Sequence, residues 1–179
     1  MSILPEEDRN QVWKDIPDAL YYVHSHGILH HDVKPQNIIF GRQRGAVLCD
    51  FGCSSTVSTQ VTPSDAGTPG YIPPEYLINK RGLPGDVWAL GLTMAFVERL
   101  MVLPRDNWMI ADVHSDEETK MKMIQSLRRI REIKMRIPEH LGLLKDMLHD
   151  NPDKRITASQ LVSRLDNRCT TRLVAYHAG

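Results

Sequence analysis

The chain has 179 residues, of which 41% are hydrophobic and 25% are charged, a composition typical of one globular domain that excludes disordered, collagen-like and low-complexity classes. Because 22 basic residues balance 22 acidic ones, no overall charge favours nucleic acid or an anionic membrane as a partner. The three cysteines lack the pattern of a disulfide framework, and no segment approaches the roughly 20 apolar residues of a membrane span.

The first predicted element is an amphipathic helix that starts near Pro5 and stops at Gly27. Its apolar residues recur at helical spacing along one stripe: Val12, Ile16, Leu20 and Val23. Pro17 lies inside this pattern, and a proline in a helix interior kinks or breaks the helix. The sequence leaves both outcomes open.

A small hairpin is predicted next. Residues 38–40 and 46–48 are apolar, and the loop between them is bounded by Gly41 and Gly45, which is typical of two short antiparallel strands. Residues 51–74 are rich in Ser, Thr, Gly and Pro and are predicted to be irregular. Loops of this length in a compact domain are usually functional or disordered.

Three helices are predicted in the second half. Residues 86–100 are apolar on nearly every face, which is typical of a buried central helix, with Asp86 as its N-cap. Residues 116–136 form a helix that is acidic at its start and basic at its end, as the helix dipole favours. Thr157 and Gln160 have the spacing of a capping box that opens the last helix.

An ordered set of polar motifs runs through these elements. They are His30-His31-Asp32-Val33-Lys34-Pro35-Gln36-Asn37, Asp50-Phe51-Gly52, the run from Gly67 to Glu75, the run from Asp86 to Gly91, and Arg155. Five fixed residues of the first motif, each at roughly 5% usage, would occur by chance on the order of once in 10⁴ chains of this length. In this order the motifs resemble the C-terminal lobe of eukaryotic protein kinases, and Lys34 with Gly67-Thr68 is similar to the serine/threonine branch.

The resemblance implies a mainly α-helical fold with a small β hairpin, the large lobe of a protein kinase. It also implies a serine/threonine kinase that transfers the γ-phosphoryl group of ATP to protein serine or threonine. ATP and a protein substrate are the expected partners, with no nucleic acid and no membrane, and Mg²⁺ is the expected cofactor, with Mn²⁺ as a substitute. Residues 1–168 would be a truncated catalytic domain and residues 169–179 a C-terminal tail. The expected location is the cytoplasm, with the nucleus as a second compartment.

The same resemblance assigns the chemistry to individual residues. Phosphoryl transfer requires mainly positioning and charge neutralisation. Asp32 is expected to meet the attacking hydroxyl group as the catalytic carboxylate, Lys34 to face the moving phosphoryl group, and Thr68 to position the substrate. Asn37 and Asp50 match the metal ligands, since Mg²⁺ prefers hard oxygen atoms. Four residues would contact the nucleotide: Ile39 beneath the adenine ring, with Lys34, Asn37 and Asp50.

Five further residues are expected to support the site. His30 and Phe51 match members of a hydrophobic column, and Asp86 matches the aspartate that steadies the catalytic-loop backbone. Glu75 and Arg155 match a partly buried ion pair below the cleft. Asp86, Glu75 and Arg155 are structural under any interpretation, so they indicate the fold and not the activity.

Two other groups have plain structural interpretations. His24 and His26 lie near a predicted helix end, where they are interpreted as capping residues or partners of the dipole and not as metal ligands. The basic residues between 128 and 136 are interpreted as a solvated helix face, with partner docking as the alternative.

The first departure from the family pattern is His31, which stands where an arginine usually precedes the catalytic aspartate. A neutral imidazole holds phosphate poorly at pH 7. Phosphorylation of the hydroxyl residues that follow is therefore predicted to order the loop little: Ser54, Ser55, Thr56, Ser58, Thr59, Thr62 and Ser64.

The second departure is at the start of the chain. Only 31 residues precede Asp32, whereas a five-stranded N-terminal lobe with one helix requires roughly 65 or more. We therefore expect no glycine-rich loop over the phosphates, and impaired or absent activity of this chain. The alternative function is a non-catalytic, pseudokinase-like interaction module. The surface around Ile39, Leu48 and Phe51 is expected to be apolar, uncovered and prone to self-association.

Overall fold

The computed structural model describes residues 4–41, 43–58 and 66–177, with side chains described up to residue 167. Within these residues the helices are α1 Glu6–Ser25, α2 Leu83–Val97, α3 Glu117–Met135, α4 Gly142–Met147 and α5 Ala158–His177. The short strands form two antiparallel pairs: β1 Ile28–Leu29 with β4 Ser55–Thr56, and β2 Ile38–Gly41 with β3 Gly45–Leu48. The predicted mainly α fold with a small β hairpin is confirmed.

Helix α1 runs unbroken through Pro17, so neither a break nor two shorter helices results. Pro17 removes one backbone hydrogen bond, but it lies on the buried side of the helix. The predicted apolar stripe is buried along its whole length: Val12, Ile16, Leu20 and Val23. Helix α1 packs against β3 and α5. This packing maintains the helix, because tertiary burial contributes more to helix stability than local propensity does.

Helix α2 is the buried centre of the fold, as its apolar sequence predicts, with residues 86–95 all buried. The predicted N-cap is wrong. Helix α2 begins at Leu83, with Pro84 in its first turn, so Asp86 is already inside the helix. Proline is favoured at such a start because its missing N–H would have no partner there. Among the described residues, no helix combines the length and the apolarity that crossing a membrane requires.

The β2–β3 hairpin has the predicted position, with Ile38 opposite Leu48 and Gly41 opposite Gly45. Successive residues of a strand point to opposite faces. Ile39 is accordingly 62% exposed, whereas Leu48 is 6% exposed. The prediction that Leu48 belongs to an uncovered surface is therefore wrong, because the register places it on the face that packs against the core.

The segment predicted to be irregular, residues 51–74, contains the short strand β4. Leu29 of β1 lies opposite Ser55 of β4, and the Val57 N–H donates to the Gly27 carbonyl at 2.8 Å. These contacts attach the segment beside the first motif. Three of the hydroxyl residues considered for phosphorylation lie outside the described residues: Thr59, Thr62 and Ser64.

Helices α3 and α5 follow the predicted pattern. Asp116 caps α3, since its carboxylate accepts a hydrogen bond from the Thr119 N–H at 2.8 Å. Thr157 and Gln160 make the two reciprocal bonds of a capping box, at 3.0 and 3.2 Å. Helix α5 continues across the predicted boundary between residues 168 and 169. Because no element ends at this boundary, the extent of the domain stays a prediction.

The basic face of α3 is at least partly neutralised by acidic side chains. Arg129 pairs with Asp106, and Lys134 pairs with Asp150 at 2.9 Å. Arg129 remains 59% exposed in its side chain. This arrangement agrees with the interpretation as a solvated helix face.

Candidate active site

The first motif forms a loop between β1 and β2 that ends in a short 3₁₀ turn, Pro35–Asn37. Its backbone is held from below by Asp86, whose two carboxylate oxygens each accept one N–H, from His30 and from His31, both at 2.8 Å. His31 has a φ of 66°, a left-handed conformation that a residue with a side chain adopts only when its surroundings enforce it. The Asp86 contacts provide that enforcement.

Asp86 is itself only 2% exposed, and a buried carboxylate requires compensating partners. Besides the two backbone donors, His24 Nε2 lies 3.0 Å from Asp86 Oδ2. The sequence analysis placed His24 at a helix end and missed this contact. The two residues are 62 positions apart, so no local pattern in the chain links them.

Asp32, Lys34 and Thr68 form a closed set of polar contacts, which we call the Asp32 triangle. Lys34 Nζ lies 2.7 Å from Asp32 Oδ2. The Thr68 hydroxyl donates to Asp32 Oδ1 at 2.6 Å and accepts from Lys34 Nζ at 2.7 Å. Asp32 is 7% exposed. Both oxygens of this carboxylate are therefore fixed, and a cation lies beside it.

Asn37 joins the triangle to the metal-binding candidates. Its side-chain nitrogen donates to the Asp32 backbone carbonyl at 2.9 Å and to Asp32 Oδ2 at 3.1 Å. Since the amide nitrogen faces Asp32, Oδ1 is the atom that Asn37 would present to a cation. The Asn37 carbonyl also accepts the Cys49 N–H at 2.9 Å, which brings the chain next to Asp50 to the same cleft.

Asp50 is exposed, with a left-handed φ of 64°, and its Oδ1 accepts the Gly52 N–H at 3.3 Å. His30 Nε2 lies 3.1 Å from the Cys49 carbonyl. Residue 49 is therefore bonded to both ends of the first motif, which places the segments of Asp32 and Asp50 side by side. Among the described residues, no cluster of three or more His, Cys, Asp or Glu side chains is arranged to hold a metal ion.

Ile39, expected beneath the adenine ring, and Phe51, expected in the hydrophobic column, both face outward. Ile39 is 62% exposed and Phe51 is 43% exposed, while the buried His30 ring contacts the Phe51 ring at a centroid distance of 4.8 Å. Phe51 and Leu48 also line a groove of about 470 Å³ along α1. Of the residues predicted to contact adenine and to form the hydrophobic column, Ile39 and Phe51 are thus exposed and His30 is buried.

Glu75 and Arg155 meet below the cleft in a bidentate pair, with N–O distances of 2.7 and 2.8 Å. The same guanidinium donates to the carbonyls of Pro84 and His149 at 2.7 and 3.0 Å. It also lies over the Trp88 ring, 5.0 Å from the centroid. This pair connects the turn that follows Thr68, helix α2 and the segment after α4.

Tyr71 is a neighbour of the site that the sequence analysis did not select. It is 4% exposed, and burial, with a further contribution from the Asp32 carboxylate, raises the pKa of its hydroxyl group well above the usual range. Tyr71 therefore stays protonated beside Asp32. A tyrosine within an irregular Gly-Pro segment has no periodicity that would reveal this position.

The geometry and the motif order agree with a direct comparison, in which the family model described as "Protein kinase domain" matches residues 1–165. The chain belongs to the protein kinase family. Its relatives include several named serine/threonine-protein kinases, so by family this kinase is a phosphotransferase of the serine/threonine type.

Three relatives illustrate how much is shared. Serine/threonine-protein kinase 36 of Pongo abelii is 44% identical over 92 residues, 49% of this kinase and 7% of that protein. Mitogen-activated protein kinase kinase kinase 17 of Arabidopsis thaliana is 32% identical over 152 residues, 84% of this kinase and 40% of that protein. Serine/threonine-protein kinase fused of Drosophila melanogaster is 43% identical over 89 residues, 48% of this kinase and 11% of that protein. The kinase thus spans less than half the length of these relatives.

Proposed function

We propose that this kinase transfers the γ-phosphoryl group of ATP to the hydroxyl group of a protein serine or threonine. The Asp32 triangle carries the proposal. It holds a buried carboxylate against a lysine and a hydroxyl group within 2.7 Å, which is the positioning and charge that phosphoryl transfer requires.

The residues of the triangle have distinct proposed roles. The substrate oxygen attacks the γ-phosphorus, the bond from that phosphorus to the bridging oxygen breaks, and ADP leaves. The hydroxyl proton passes to the Asp32 carboxylate. Lys34 balances the charge of the moving phosphoryl group, and Thr68 orients the incoming hydroxyl group beside Asp32.

Two residues fit a divalent cation by the chemistry of their donor atoms. Asn37 Oδ1 and the exposed Asp50 carboxylate are hard oxygen ligands, which Mg²⁺ prefers and Mn²⁺ accepts. When bound, the cation would neutralise charge on the phosphates. Two protein ligands are sufficient for a site of this kind because Mg²⁺ usually keeps several waters and binds substrate phosphates.

We infer that the 179-residue chain alone transfers phosphate slowly. Ile39, Asp50 and Phe51 are all exposed, so water reaches the nucleotide site. Electrostatic contacts to the phosphates act most strongly where water is excluded. Since losing one preorganised contact costs about 10²–10³ in rate, contacts weakened by water are expected to slow the transfer.

A transfer assay on the purified chain tests the proposed function. With ATP, Mg²⁺ and dephosphorylated casein as a probe acceptor, we expect slow labelling of serine or threonine. Asp32→Asn should lower the rate about 10²–10⁴-fold, the usual contribution of a general base. Asp153→Asn, which alters an exposed turn, is the matched control. Equal rates in both variants would refute the role of Asp32.

The second candidate is a non-catalytic interaction module, favoured by the exposed apolar surface beside the cleft. Ile39 and Val47 are 62% and 50% exposed on one face of the hairpin, and we propose that this face drives self-association. Sedimentation velocity should show dimers of the wild-type chain and fewer dimers of the Ile39→Ser/Val47→Ser variant. Association without any transfer would favour the module, and a monomer at high concentration would exclude this surface.

A further inference from the structure

A side-chain hydrogen bond outside the Asp32 triangle joins the loop of residues 30–37, which we call the catalytic loop, to β4. His31 Nε2 lies 2.7 Å from the Ser55 hydroxyl oxygen. The backbone ladder between β1 and β4 contains only two residue pairs, and two-stranded ribbons of this size are marginally stable. The His31–Ser55 bond therefore adds to this short ladder and to the Val57 N–H bond with the Gly27 carbonyl in holding β4 in place.

The surroundings of the imidazole favour its neutral form. Asp86 of α2, Arg81 of the segment before α2 and the neighbouring His30 are the charged or titratable groups that act on it. Burial is the main cause that lowers the pKa of His31, Arg81 and His30 act in the same direction, and Asp86 opposes them. A neutral imidazole has one donor and one acceptor nitrogen, so it pairs well with an unmodified hydroxyl group.

We propose that Ser55 is a positioning residue of this kinase, whose unmodified hydroxyl group holds β4 against the catalytic loop and thereby sets Asp50 relative to Asp32. His31 directly precedes Asp32, and Ser55 follows Asp50 by five residues. The bond therefore links the two stretches of chain that carry the carboxylates. Its importance for catalysis rests on the proposed function, whereas the contact itself does not.

Hydrogen exchange of backbone amides tests the inference without any transfer reaction. Ser55→Ala should accelerate exchange in residues 55–57 and 28–31 by roughly two- to tenfold, the effect of losing one hydrogen bond. Ser55→Thr keeps the hydroxyl group and should exchange like the wild type. Ser163→Ala removes an exposed hydroxyl group on α5 and is the matched control.

Two further readouts separate positioning from general stability. The imidazole ¹⁵N shifts of His31 should change in Ser55→Ala and be restored in Ser55→Thr. The His31→Phe variant breaks the same contact from the other side and should accelerate exchange in residues 55–57 as Ser55→Ala does. In the transfer assay, Ser55→Ala should lower the rate and Ser55→Thr should restore it.

The outcomes distinguish this inference from the proposed function. If Ser55→Ala shows the same amide hydrogen exchange rates and the same imidazole ¹⁵N shifts as the wild type, the proposed role of Ser55 is wrong, even if transfer proceeds. Absence of transfer in the wild-type chain would count against the proposed function, while the exchange and NMR results would still decide whether Ser55 holds β4.

Discussion

The ion pair below the cleft and the Asp50 carboxylate at the cleft are built in opposite ways. Arg155 and Glu75 have side chains that are 0% and 4% exposed, and Arg155 donates to three different residues. Asp50, in contrast, is exposed and extends from a strained backbone position. The carboxylate and guanidinium of the buried pair are satisfied by protein groups, whereas the exposed Asp50 carboxylate leaves oxygen atoms available. We therefore expect the buried pair to contribute to stability and the Asp50 carboxylate to remain available to a ligand.

The largest effect expected from this comparison is a loss of stability on replacing Arg155. Replacing Arg155 with Met leaves the Glu75 carboxylate buried without its partner, so we expect a loss of about 3–5 kcal/mol in the free energy of unfolding. Urea denaturation measures it. The control Arg164→Met removes a pair whose side chains are 57% and 48% exposed, and should change stability by less than about 1 kcal/mol. Similar losses in both variants would contradict the comparison.

The sequence predicts the fold well wherever a period or a cap determines an element. The stripe along α1, the hairpin and the capping box at Thr157 all follow from local patterns. The N-cap prediction at Asp86 is wrong because Pro84 starts the helix earlier. The outcome at Pro17, which the sequence leaves open, is decided by the packing of α1 against the core. Tertiary packing regularly overrides such signals.

The sequence also predicts which residues surround the cleft, because the motifs name them in order. It does not predict how they are connected. The bonds from His24 to Asp86 and from His31 to Ser55 join positions 62 and 24 residues apart. Such contacts depend on the geometry of the folded chain, and no spacing rule along one sequence encodes them.

The two faces of the hairpin allow the next largest test. Leu48→Ala removes a buried side chain and should cost about 2–5 kcal/mol of unfolding free energy. Ile39→Ala removes an exposed one, so stability should stay within about 0.5 kcal/mol, while the affinity for ATP, measured by calorimetry, should weaken. A stability loss in Ile39→Ala as large as that in Leu48→Ala, or an unchanged ATP affinity, would show that the division between core face and nucleotide face is wrong.

A smaller effect is expected inside the Asp32 triangle. Thr68→Val keeps the side-chain shape but removes the hydroxyl group that bonds to Asp32 and Lys34, so we expect roughly a tenfold loss in transfer rate, equivalent to one hydrogen bond of about 1.4 kcal/mol. Thr68→Ser should retain most of the activity. Steady-state kinetics of the two variants measures the difference, and equal rates would exclude the hydroxyl group from the mechanism.

The smallest effect is a pH dependence of stability that His31 contributes. Burial lowers its pKa below the ordinary value of 6.5, so in the interval between the folded and unfolded values the unfolded chain binds a proton that the folded chain does not. The stabilisation of the folded state that neutral His31 provides is complete above about pH 6.5, and it is lost progressively as the pH falls below that value. His31→Phe lacks the titrating group. The free energy of unfolding of the wild type minus that of the variant should therefore decrease when urea denaturation is repeated from pH 7.5 to pH 5.5. A constant value would show that the cleft does not favour neutral His31.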